Sequence, residues 1–366
     1  MKRIIASVTN DLVADSRVHK VCTTLTEIGF DVLLVGRRYH SSPQIAPRVY
    51  KTRRMHLIFR KGPLFYAEFN LRLMFFLLFT KCDILLANDL DTLPANVAAG
   101  KLKGKPVVYD SHEYFTEVPE LINRPQVQQV WLWLEKNLVQ KVNAAYTVCQ
   151  SIADIYSDQY KITFRVVRNV PLYIEQADVA VAPADSGLQP AIIYQGALNL
   201  GRGLESAIRA MQYLPEAQLL IAGSGDKEKE LKKLAKETSP KNILFLGRLP
   251  FGELSVITRQ ASLGISLEED MGLNYRYALP NKLFDYIQAQ IPVVVSNLPE
   301  MKTVVDKYQI GLIAGSHDPE YLAGLFRKAL FDESLRDIWK NGLETAAREL
   351  NWNHERKVIE EIFRAF

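Results

Sequence analysis

The stretch SLEEDMGLNYRYALPNKLFDYIQAQIPVVVS, residues 266–296, places an acidic loop, a helix and a strand in succession. Pro280 suits the first turn of a helix, because proline has no amide hydrogen to leave unbonded there. The pattern that follows predicts a helix over Asn281–Ala289, and the β-branched run Pro292–Val295 predicts a strand. Together with the apolar run Leu263–Ser266 just before it, the stretch predicts a strand–helix–strand unit of a parallel sheet.

The same alternation of strand and helix extends along the chain in two series. The first series predicts strands at Arg3–Val8, Asp31–Val35, Asp83–Ala87, Pro106–Tyr109 and Ala145–Val148, and helices at Ser16–Ile28 and Val127–Val142. The second predicts strands at Ala191–Tyr194, Gln218–Ile221, Ile243–Leu246, Leu263–Ser266, Pro292–Val295 and Gly311–Ile313, and helices at Leu204–Tyr213, Lys227–Glu237, Asn281–Ala289 and Glu320–Leu330. Two series predict two doubly wound α/β domains.

A stretch with three prolines and no helical period, residues 171–190, predicts a linker between these domains. We therefore expect an N-terminal domain over residues 1–170 and a C-terminal domain over residues 191–350, with a last helix over residues 351–366 packing back on the first domain. Ligands of open α/β sheets bind beyond the carboxyl ends of the strands. Two such domains facing a central cleft would place one binding edge on each side of it.

Composition is that of an ordinary globular protein, with 48% hydrophobic and 23% charged residues among 366. The three cysteines form no disulfide framework or metal-ligand spacing, which favours a cytoplasmic protein without a metal site. The start MKRIIASV predicts a first strand rather than a signal peptide, and without an uncharged apolar run of 18 residues we expect no spanning helix. Residues 1–170 hold 23 Lys/Arg against 15 Asp/Glu, and residues 37–81 hold ten basic residues and one acid. Such a field favours an anionic partner.

Two glycine-rich turns follow the first two strands of the second domain. In GALNLGRGLESAI, residues 196–208, Gly196, Gly201 and Gly203 allow close backbone approach, and Arg202 stands at the start of a helix. A helix N-terminus beside a cation suits a phosphate, although a plain turn with a surface arginine gives the same pattern. AGSGD, with Gly223 and Gly225, is a second such turn. The dinucleotide fingerprint GxGxxG is absent, which argues against a dehydrogenase.

The acidic loop holds Glu268 and Glu269, and the helix after it holds Lys282 and Asp285. A lysine in the first turn opposes the helix dipole unless an anion is present, and a diphosphate would supply that anion. Asp285 lies on the same helix face, where its carboxylate would accept hydrogen bonds from ribose hydroxyls. The alternative is an exposed ion pair between Lys282 and Asp285.

Polar residues also follow strands of the first domain. Asp11, Asp15 and Arg17 lie in TNDLVADSRVHKV, where Asp15 is equally a helix cap before Ser16. Asp89 and Asp91 lie in NDLDTLPA. Asp11, Asp15 and Arg17 are acceptor-side candidates. Asp89 and Asp91, together with His112, are candidate catalytic residues for orienting or deprotonating the acceptor hydroxyl.

A lone histidine is usually structural, but His112 follows a strand in YDSHEYFTE and is flanked by Asp110 and Glu113. It is therefore a candidate catalytic residue, and Glu113 an acceptor-side one.

Nearly the whole chain resembles glycosyltransferase family 4, retaining enzymes of the GT-B fold. The tract LPNKLFDYIQAQIPVVVS is similar to a variant of the family's Glu-x7-Glu block, with Asp285 in place of the second glutamate and Glu268 or Glu269 nearest the first. Arg202 matches the lysine of the diphosphate-binding loop, while Ala197 stands at the arginine position and the family's Gly-Gly turn in the first domain is absent. His112 matches the histidine beside the reacting sugar.

The resemblance implies a GT-B-like fold and transfer of a sugar, with retention, from a nucleotide-diphosphate sugar to a glycan or lipid-linked acceptor, without a metal cofactor. The alternatives are a nucleotide-sugar 2-epimerase of the same fold and a non-catalytic sugar-nucleotide-binding protein.

The apolar and basic segment 53–81 permits two interpretations. It fits a helix on an anionic membrane, which would put the protein at the inner face of the cytoplasmic membrane. It equally fits a buried helix whose arginines reach the surface. Nucleic acid is not expected as a partner, because the aromatic residues are not spaced among small polar loops.

Overall fold

The computed structural model describes residues 1–13, 15–173, 189–238 and 241–366. These residues divide into two compact units. Unit 1 comprises Met1–Asn169 with His354–Phe366, and unit 2 comprises Val170–Asn353. Most of the predicted linker, residues 174–188, lies outside the described residues.

The described residues of unit 1 form one parallel sheet. Its strands are β1 (Arg3–Ser7), β2 (Asp31–Arg38), β3 (Lys51–His56), β4 (Ile84–Asn88), β5 (Val107–Ser111), β6 (Ala144–Thr147) and β7 (Phe164–Val166). Their order is β3-β2-β1-β4-β5-β6-β7, so the winding direction reverses between β1 and β4. In doubly wound sheets this switch point opens a crevice for ligands at the carboxyl ends of the strands.

Helices cover the sheet of unit 1. They are α1 (Ser16–Glu27), α2 (Pro63–Phe79), α3 (Leu93–Lys103), α4 (Pro119–Ile122), α5 (Pro125–Leu138) and α6 (Gln150–Tyr160). The last helix of the chain, Trp352–Arg364, also belongs to unit 1 from His354 onward. It is held there by Glu355, which bonds the amide and guanidinium of Arg168, and by the ion pair of Arg356 with Glu27.

Unit 2 repeats the same architecture. Its strands are β8 (Ala191–Gln195), β9 (Gln218–Ala222), β10 (Ile243–Gly247), β11 (Leu263–Ser266), β12 (Val293–Ser296) and β13 (Gly311–Ala314). Its helices are α7 (Leu204–Ala210), α8 (Glu228–Thr238), α9 (Phe251–Gln260), α10 (Leu273–Arg276), α11 (Asn281–Gln288), α12 (Pro299–Tyr308), α13 (Pro319–Phe331) and α14 (Glu333–Glu349). Completing the numbering, α15 is the last helix, Trp352–Arg364. The order β10-β9-β8-β11-β12-β13 puts the switch point between β8 and β11.

The predicted α/β class with two doubly wound parallel sheets is confirmed. Every strand predicted from the sequence is present within one or two residues at each end, except that β2 continues to Arg38. Two strands were missed because their sequences lack an apolar run: β3 reads KTRRMH at the sheet edge, and β7 has only three residues. The predicted helix Val127–Val142 ends at Leu138 and continues only as a 3-10 turn.

Helix α2, in segment 53–81, has apolar side chains on both its buried and its exposed side. Phe65, Phe69, Leu73 and Leu77 are buried on one side. Leu64, Leu71, Phe75 and Phe79 are exposed on the other, with Phe79 85% exposed. Within the described ranges, no helix has the length and apolar character needed to cross a membrane.

Candidate active site

Three loops meet at the switch point of unit 2, and glycines permit their contact. Gly203 has a φ of 66°, and a Cβ there would overlap the carbonyl oxygen of Leu267, just after β11. Gly223, with a φ of 148°, would in the same way overlap the carbonyl oxygen of Gly196. Gly225 packs against Leu198 and Asn199. The glycines that the sequence selected therefore hold the loops after β8, β9 and β11 against one another.

A buried carboxylate and two cations lie where these loops meet. Glu268 is fully buried, and its Oε1 lies 2.8 Å from Nζ of Lys282 and 3.5 Å from a guanidinium nitrogen of Arg202. The other oxygen accepts a 2.7 Å hydrogen bond from Ser266 Oγ. Lys282 also lies 4.0 Å from the ring centre of Tyr194, a cation–π contact.

The charge of this cluster is set by the pairing of Glu268. Burial would raise the pKa of Glu268, but the charge and hydrogen bond of Lys282, the bond from Ser266 and the nearby Arg202 hold it below its ordinary value. The anion that Lys282 faces is therefore a carboxylate of the chain itself. The position of Lys282 in the first helix turn therefore does not by itself require a diphosphate, and the alternative ion pair with Asp285 is replaced by one with Glu268. One carboxylate beside two cations nevertheless leaves a net positive charge.

Asp285 lies on the same helix but has different neighbours. Its Oδ2 accepts a 2.8 Å hydrogen bond from Gln195, at the end of β8, and Gln195 in turn accepts from Thr258. Gln195, Thr258 and Asp285 all line a surface pocket with Arg259. The half-buried Asp285 therefore lines this pocket. The ammonium group of Lys282 pairs with Glu268 instead of Asp285.

The neighbouring Glu269 contributes through its backbone. Its amide donates to the carbonyl oxygen of Gly201 at 3.0 Å, which ties the acidic loop to the loop after β8. Its side chain is half-buried.

In unit 1 a histidine lies between two carboxylates beyond β4 and β5. The ring nitrogens of His112 lie 3.1 Å from Asp89 Oδ2 and 3.2 Å from Asp110 Oδ2, and its side chain is 20% exposed. The amide of His112 donates to Asp89 Oδ1 at 2.9 Å. Asp89 has a φ of 59°, a backbone conformation that is uncommon for a residue with a side chain.

A buried arginine fixes the second of these carboxylates. Arg17 donates to both oxygens of Asp110, the shortest bond being 2.6 Å, and to the carbonyl oxygen of Val167. Burial would raise the pKa of Asp110, but Arg17 and His112 lower it to about 2. Arg17 is 3% exposed, so it positions Asp110 and does not itself face a ligand.

These carboxylates change the expected role of His112. Burial would lower its pKa, but the charges and hydrogen bonds of Asp89 and Asp110 outweigh that effect and raise the pKa well above the ordinary value. The two carboxylates therefore favour the protonated, positively charged ring. A protonated ring can only donate hydrogen bonds, so the raised pKa favours orienting over deprotonating the acceptor among the roles predicted for His112.

Asp91 has a raised pKa, which suits a general base. Burial and the charge of Asp89 raise its pKa to about 7. Its Oδ2 accepts a 2.6 Å bond from Thr9, in the loop after β1, so the pair bridges the two loops of the switch point. Its Oδ1 is buried without a hydrogen-bond partner among the described residues. General bases work best with a pKa near the operating pH.

The remaining acceptor-side candidates have structural contacts. Asp15 caps α1 by accepting from the amide of Val18, the alternative that the sequence left open. Asp11 accepts from the Val13 amide and from Ser42. Glu113 has an exposed side chain, and its carbonyl oxygen accepts from Ser111.

Several residues of the site were not selected from the sequence. They are Thr9, Asp110, Gln195, Thr258 and Ser266. Asp110 directly follows the predicted strand Pro106–Tyr109 and precedes His112 by two residues, and this position could have identified it. Thr258 lies on α9, a helix that the sequence pattern did not predict.

Comparison with known families accounts for both units. Residues 14–172 match the family described as Glycosyltransferase Family 4, and residues 184–345 match Glycosyl transferases group 1. The chain belongs to the family 4 type of glycosyltransferases.

Individual relatives of this glycosyltransferase are distant. A GDP-mannose-dependent monoacylated α-(1-6)-phosphatidylinositol monomannoside mannosyltransferase of Corynebacterium glutamicum is 29% identical over 176 residues. The match covers 45% of this chain and 44% of that relative, so it spans less than half the length of the curated protein.

Solved structures with the same fold match over nearly the full length. Sucrose-phosphate synthase of Thermosynechococcus elongatus has a TM-score of 0.77 at 18% identity, with 100% of this chain and 99% of that chain covered. Anabaena HepE in complex with UDP-glucose has a TM-score of 0.74 at 13% identity, with 100% of both chains covered. At these identities the likeness confirms the GT-B fold of the chain.

Proposed function

We propose that this glycosyltransferase moves a sugar from a nucleotide-diphosphate donor to an acceptor hydroxyl with retention of anomeric configuration, without a metal cofactor. Unit 2 binds the donor and unit 1 the acceptor. The observation that carries the proposal is the cluster of Lys282, Arg202 and Glu268 at the glycine-lined switch point of unit 2.

The donor part rests on charge and on space. As the glycosidic bond breaks, negative charge grows on the departing diphosphate, and fixed cations and amides stabilise it. Lys282 and Arg202 supply two cations held by one carboxylate, so a diphosphate would be attracted by their net positive charge. The glycine turns leave room for phosphate oxygens close to the backbone. HepE, a distant relative of the same fold, binds UDP-glucose.

The acceptor part rests on Asp91 and His112. In the transfer the acceptor oxygen bonds to the anomeric carbon while the bond from that carbon to the diphosphate breaks. The proton of the acceptor hydroxyl passes to Asp91, whose pKa is near neutrality, or to the departing diphosphate. The protonated His112 contributes a positive charge and a donor beside the developing charges. Lipid-linked molecules and glycans both fit as acceptors.

A peripheral contact of segment 53–81 with the inner face of the cytoplasmic membrane forms part of this proposal. Leu71, Phe75 and Phe79 are exposed on α2, the Arg53 guanidinium lies 4.4 Å from the ring centre of Phe76, and Lys61 precedes the helix in the chain. Apolar side chains with adjacent cations favour the interface of an anionic membrane.

The test begins with thermal unfolding in the presence of UDP, GDP and ADP and their sugar conjugates. A nucleotide at a hundred times its Kd stabilises the folded protein by about 2.7 kcal/mol. Lys282→Ala is expected to weaken binding of the stabilising nucleotide at least tenfold. Lys302→Ala removes an exposed lysine of the same unit, which pairs with Asp306 in α12, and serves as the matched control.

Turnover of the donor then separates catalysis from binding. We expect release of the nucleoside diphosphate. With an α-linked donor, NMR of the product should show an α-glycosidic bond. Binding without release of nucleotide would indicate a non-catalytic sugar-nucleotide-binding protein, and epimerised donor would indicate a 2-epimerase. Activity unaffected by EDTA is expected, and loss restored by a divalent cation would contradict the metal-free mechanism.

A further inference from the structure

A cavity of about 770 Å³ in unit 1 has a strongly basic lining. It lies beyond the carboxyl ends of β2 and β3. The side chains that give it its character are Arg37, Arg38, Tyr39, His40, His56 and Arg60. No acidic residue lines it among the described residues. We call it the basic cavity.

Arg37 is the residue that most requires a partner. It is 7% exposed, and its guanidinium donates to the carbonyl oxygen of Arg60 at 3.1 Å. Its other contacts are the ring faces of Tyr39 and Phe65, at 3.8 and 4.3 Å from the ring centres. In the part of the chain that the structure describes, no carboxylate forms an ion pair with it.

This arrangement is costly without an anion. A guanidinium keeps its charge at any relevant pH and has five hydrogen-bond donors in a planar fork. A buried charge is strongly disfavoured unless it is paired and hydrogen-bonded. Arg37 therefore lines the cavity with a charge that no carboxylate of the described residues pairs with. Phosphate oxygens match the guanidinium fork, and Arg38 and Arg60 add two further cations at the same cavity.

The basic cavity adjoins the candidate acceptor residues. The amide of Arg37 donates a 2.9 Å hydrogen bond to the carbonyl oxygen of Asn10, in the loop after β1 whose Thr9 bonds Asp91. Phe65, in the first turn of α2, stacks on Arg37. The exposed apolar row of α2, which begins at Leu64, thus starts at the edge of the cavity.

We propose that the basic cavity binds a phosphate or diphosphate group of the acceptor, so that the acceptor is a phosphate-linked lipid whose apolar part lies along α2. Its role as an acceptor subsite rests on the proposed glycosyltransferase activity. The binding chemistry does not, because the cavity and its buried arginine belong to unit 1 alone.

The experiment measures binding of geranyl diphosphate, geraniol and inorganic diphosphate by isothermal titration calorimetry. Geranyl diphosphate is expected to bind more tightly than inorganic diphosphate, and geraniol weakly. Arg37→Gln and Arg60→Gln are each expected to weaken geranyl diphosphate binding at least tenfold. Since Arg37 is buried and its variant is at risk of misfolding, the exposed Arg60 provides the second variant. Lys51→Gln is the matched control, at an exposed cation on the same strand as His56 that pairs with Asp31 and lies outside the cavity lining.

Nucleotide binding is measured on the same variants to separate the two proposals. Unchanged affinity for the donor nucleotide in Arg60→Gln, together with lost geranyl diphosphate binding, supports the inference. If no nucleotide binds but geranyl diphosphate still requires Arg60, the donor proposal fails and the basic cavity remains an anion site. Equal geranyl diphosphate binding by wild type, Arg37→Gln and Arg60→Gln overturns the inference.

Vesicles of phosphatidylglycerol test the other source of phosphate. If the Arg37 and Arg60 variants lose binding to vesicles while no protein binds geranyl diphosphate, the cavity recognises lipid headgroups at a membrane surface. That result would overturn its assignment to the acceptor.

Discussion

Lys282 Nζ lies 2.8 Å from Oε1 of the fully buried Glu268, although fourteen residues separate them in sequence. The pair joins the loop after β11 to the start of α11, and Arg202 approaches the same oxygen from the loop after β8. Three elements of the switch point therefore depend on one carboxylate. Its charge also sets how strongly the two cations attract a phosphate.

Glu268→Gln should destabilise the protein and increase its dependence on nucleotide. Glutamine keeps the shape but leaves the mostly buried Lys282 without a counter-charge, which costs about 3 kcal/mol by analogy with broken buried pairs. A nucleoside diphosphate would neutralise Lys282, so its addition should raise the Tm of the variant more than that of wild type. Glu269→Gln, at the half-buried neighbour, is the control with little effect. Equal nucleotide shifts in all three proteins would contradict the diphosphate role.

Asp89→Asn should lower the pKa of His112. Asp89 and Asp110 together hold that pKa well above its ordinary value, so removal of one carboxylate weakens the effect. NMR titration of the histidine ring measures the change, with His112→Gln identifying the signal. We expect activity to fall about a hundredfold, the scale of a lost acid–base group. Asp11→Asn, in the neighbouring loop, should leave the titration unchanged; a fall there too would indicate a general loss of structure.

The raised pKa of His112 also determines how its contribution to the unfolding free energy changes with pH. A histidine whose folded pKa is raised contributes stability that is complete below its unfolded pKa, about 6.5, and is lost as pH rises through the folded value. The unfolding free energy of His112→Gln should therefore fall furthest below that of wild type in acid and approach it in alkali. Urea unfolding at several pH values measures both, and a constant difference would contradict a protonated His112.

Asp91 also has a raised pKa, so its contribution to stability falls with rising pH in the same direction as that of His112. Its pKa is about 7 in the folded protein and about 3.9 when unfolded, so the folded state binds more protons between these values. Stability then decreases as pH rises through this window, by about 2 kcal/mol between pH 5.5 and 8. Asp91→Asn mimics the protonated form and should lack this loss. Asp158→Asn, an exposed carboxylate of the same unit, should retain it. Parallel pH profiles of wild type and Asp91→Asn would show that Asp91 titrates normally.

The fold was predictable because its signals are local. Apolar runs such as Leu263–Ser266 each form a single strand. The glycines at 196, 203 and 223 mark turns that follow these strands in the sequence. The edge strand β3 was missed because its residues KTRRMH meet water on at least one side and need no apolar run. The order of the strands then follows from the doubly wound topology.

The partners of the site residues were less predictable, because they are set by long-range contacts. Arg17 and Asp110 are 93 positions apart and meet only through the packing of α1 on the sheet. Sequence order made Lys282 and Asp285 neighbours on one helix, whereas Lys282 pairs with Glu268 and Asp285 bonds Gln195. The protonation states of His112 and Asp91 depend on these same contacts, so their roles could not be assigned from residue type.

Gly203→Ala and Gly247→Ala separate backbone strain from steric overlap at the donor site. The two glycines have nearly the same φ, 66° and 68°. A Cβ at Gly247 meets nothing within 4 Å, so its alanine variant carries only the cost of the left-handed conformation, about 1 kcal/mol. A Cβ at Gly203 would also overlap the carbonyl oxygen of Leu267 and push the loop that holds Glu268 away. We therefore expect Gly203→Ala to weaken nucleotide binding at least tenfold beyond Gly247→Ala. Equal affinities in the two variants, measured by calorimetry, would mean that contact between these loops does not shape the donor site.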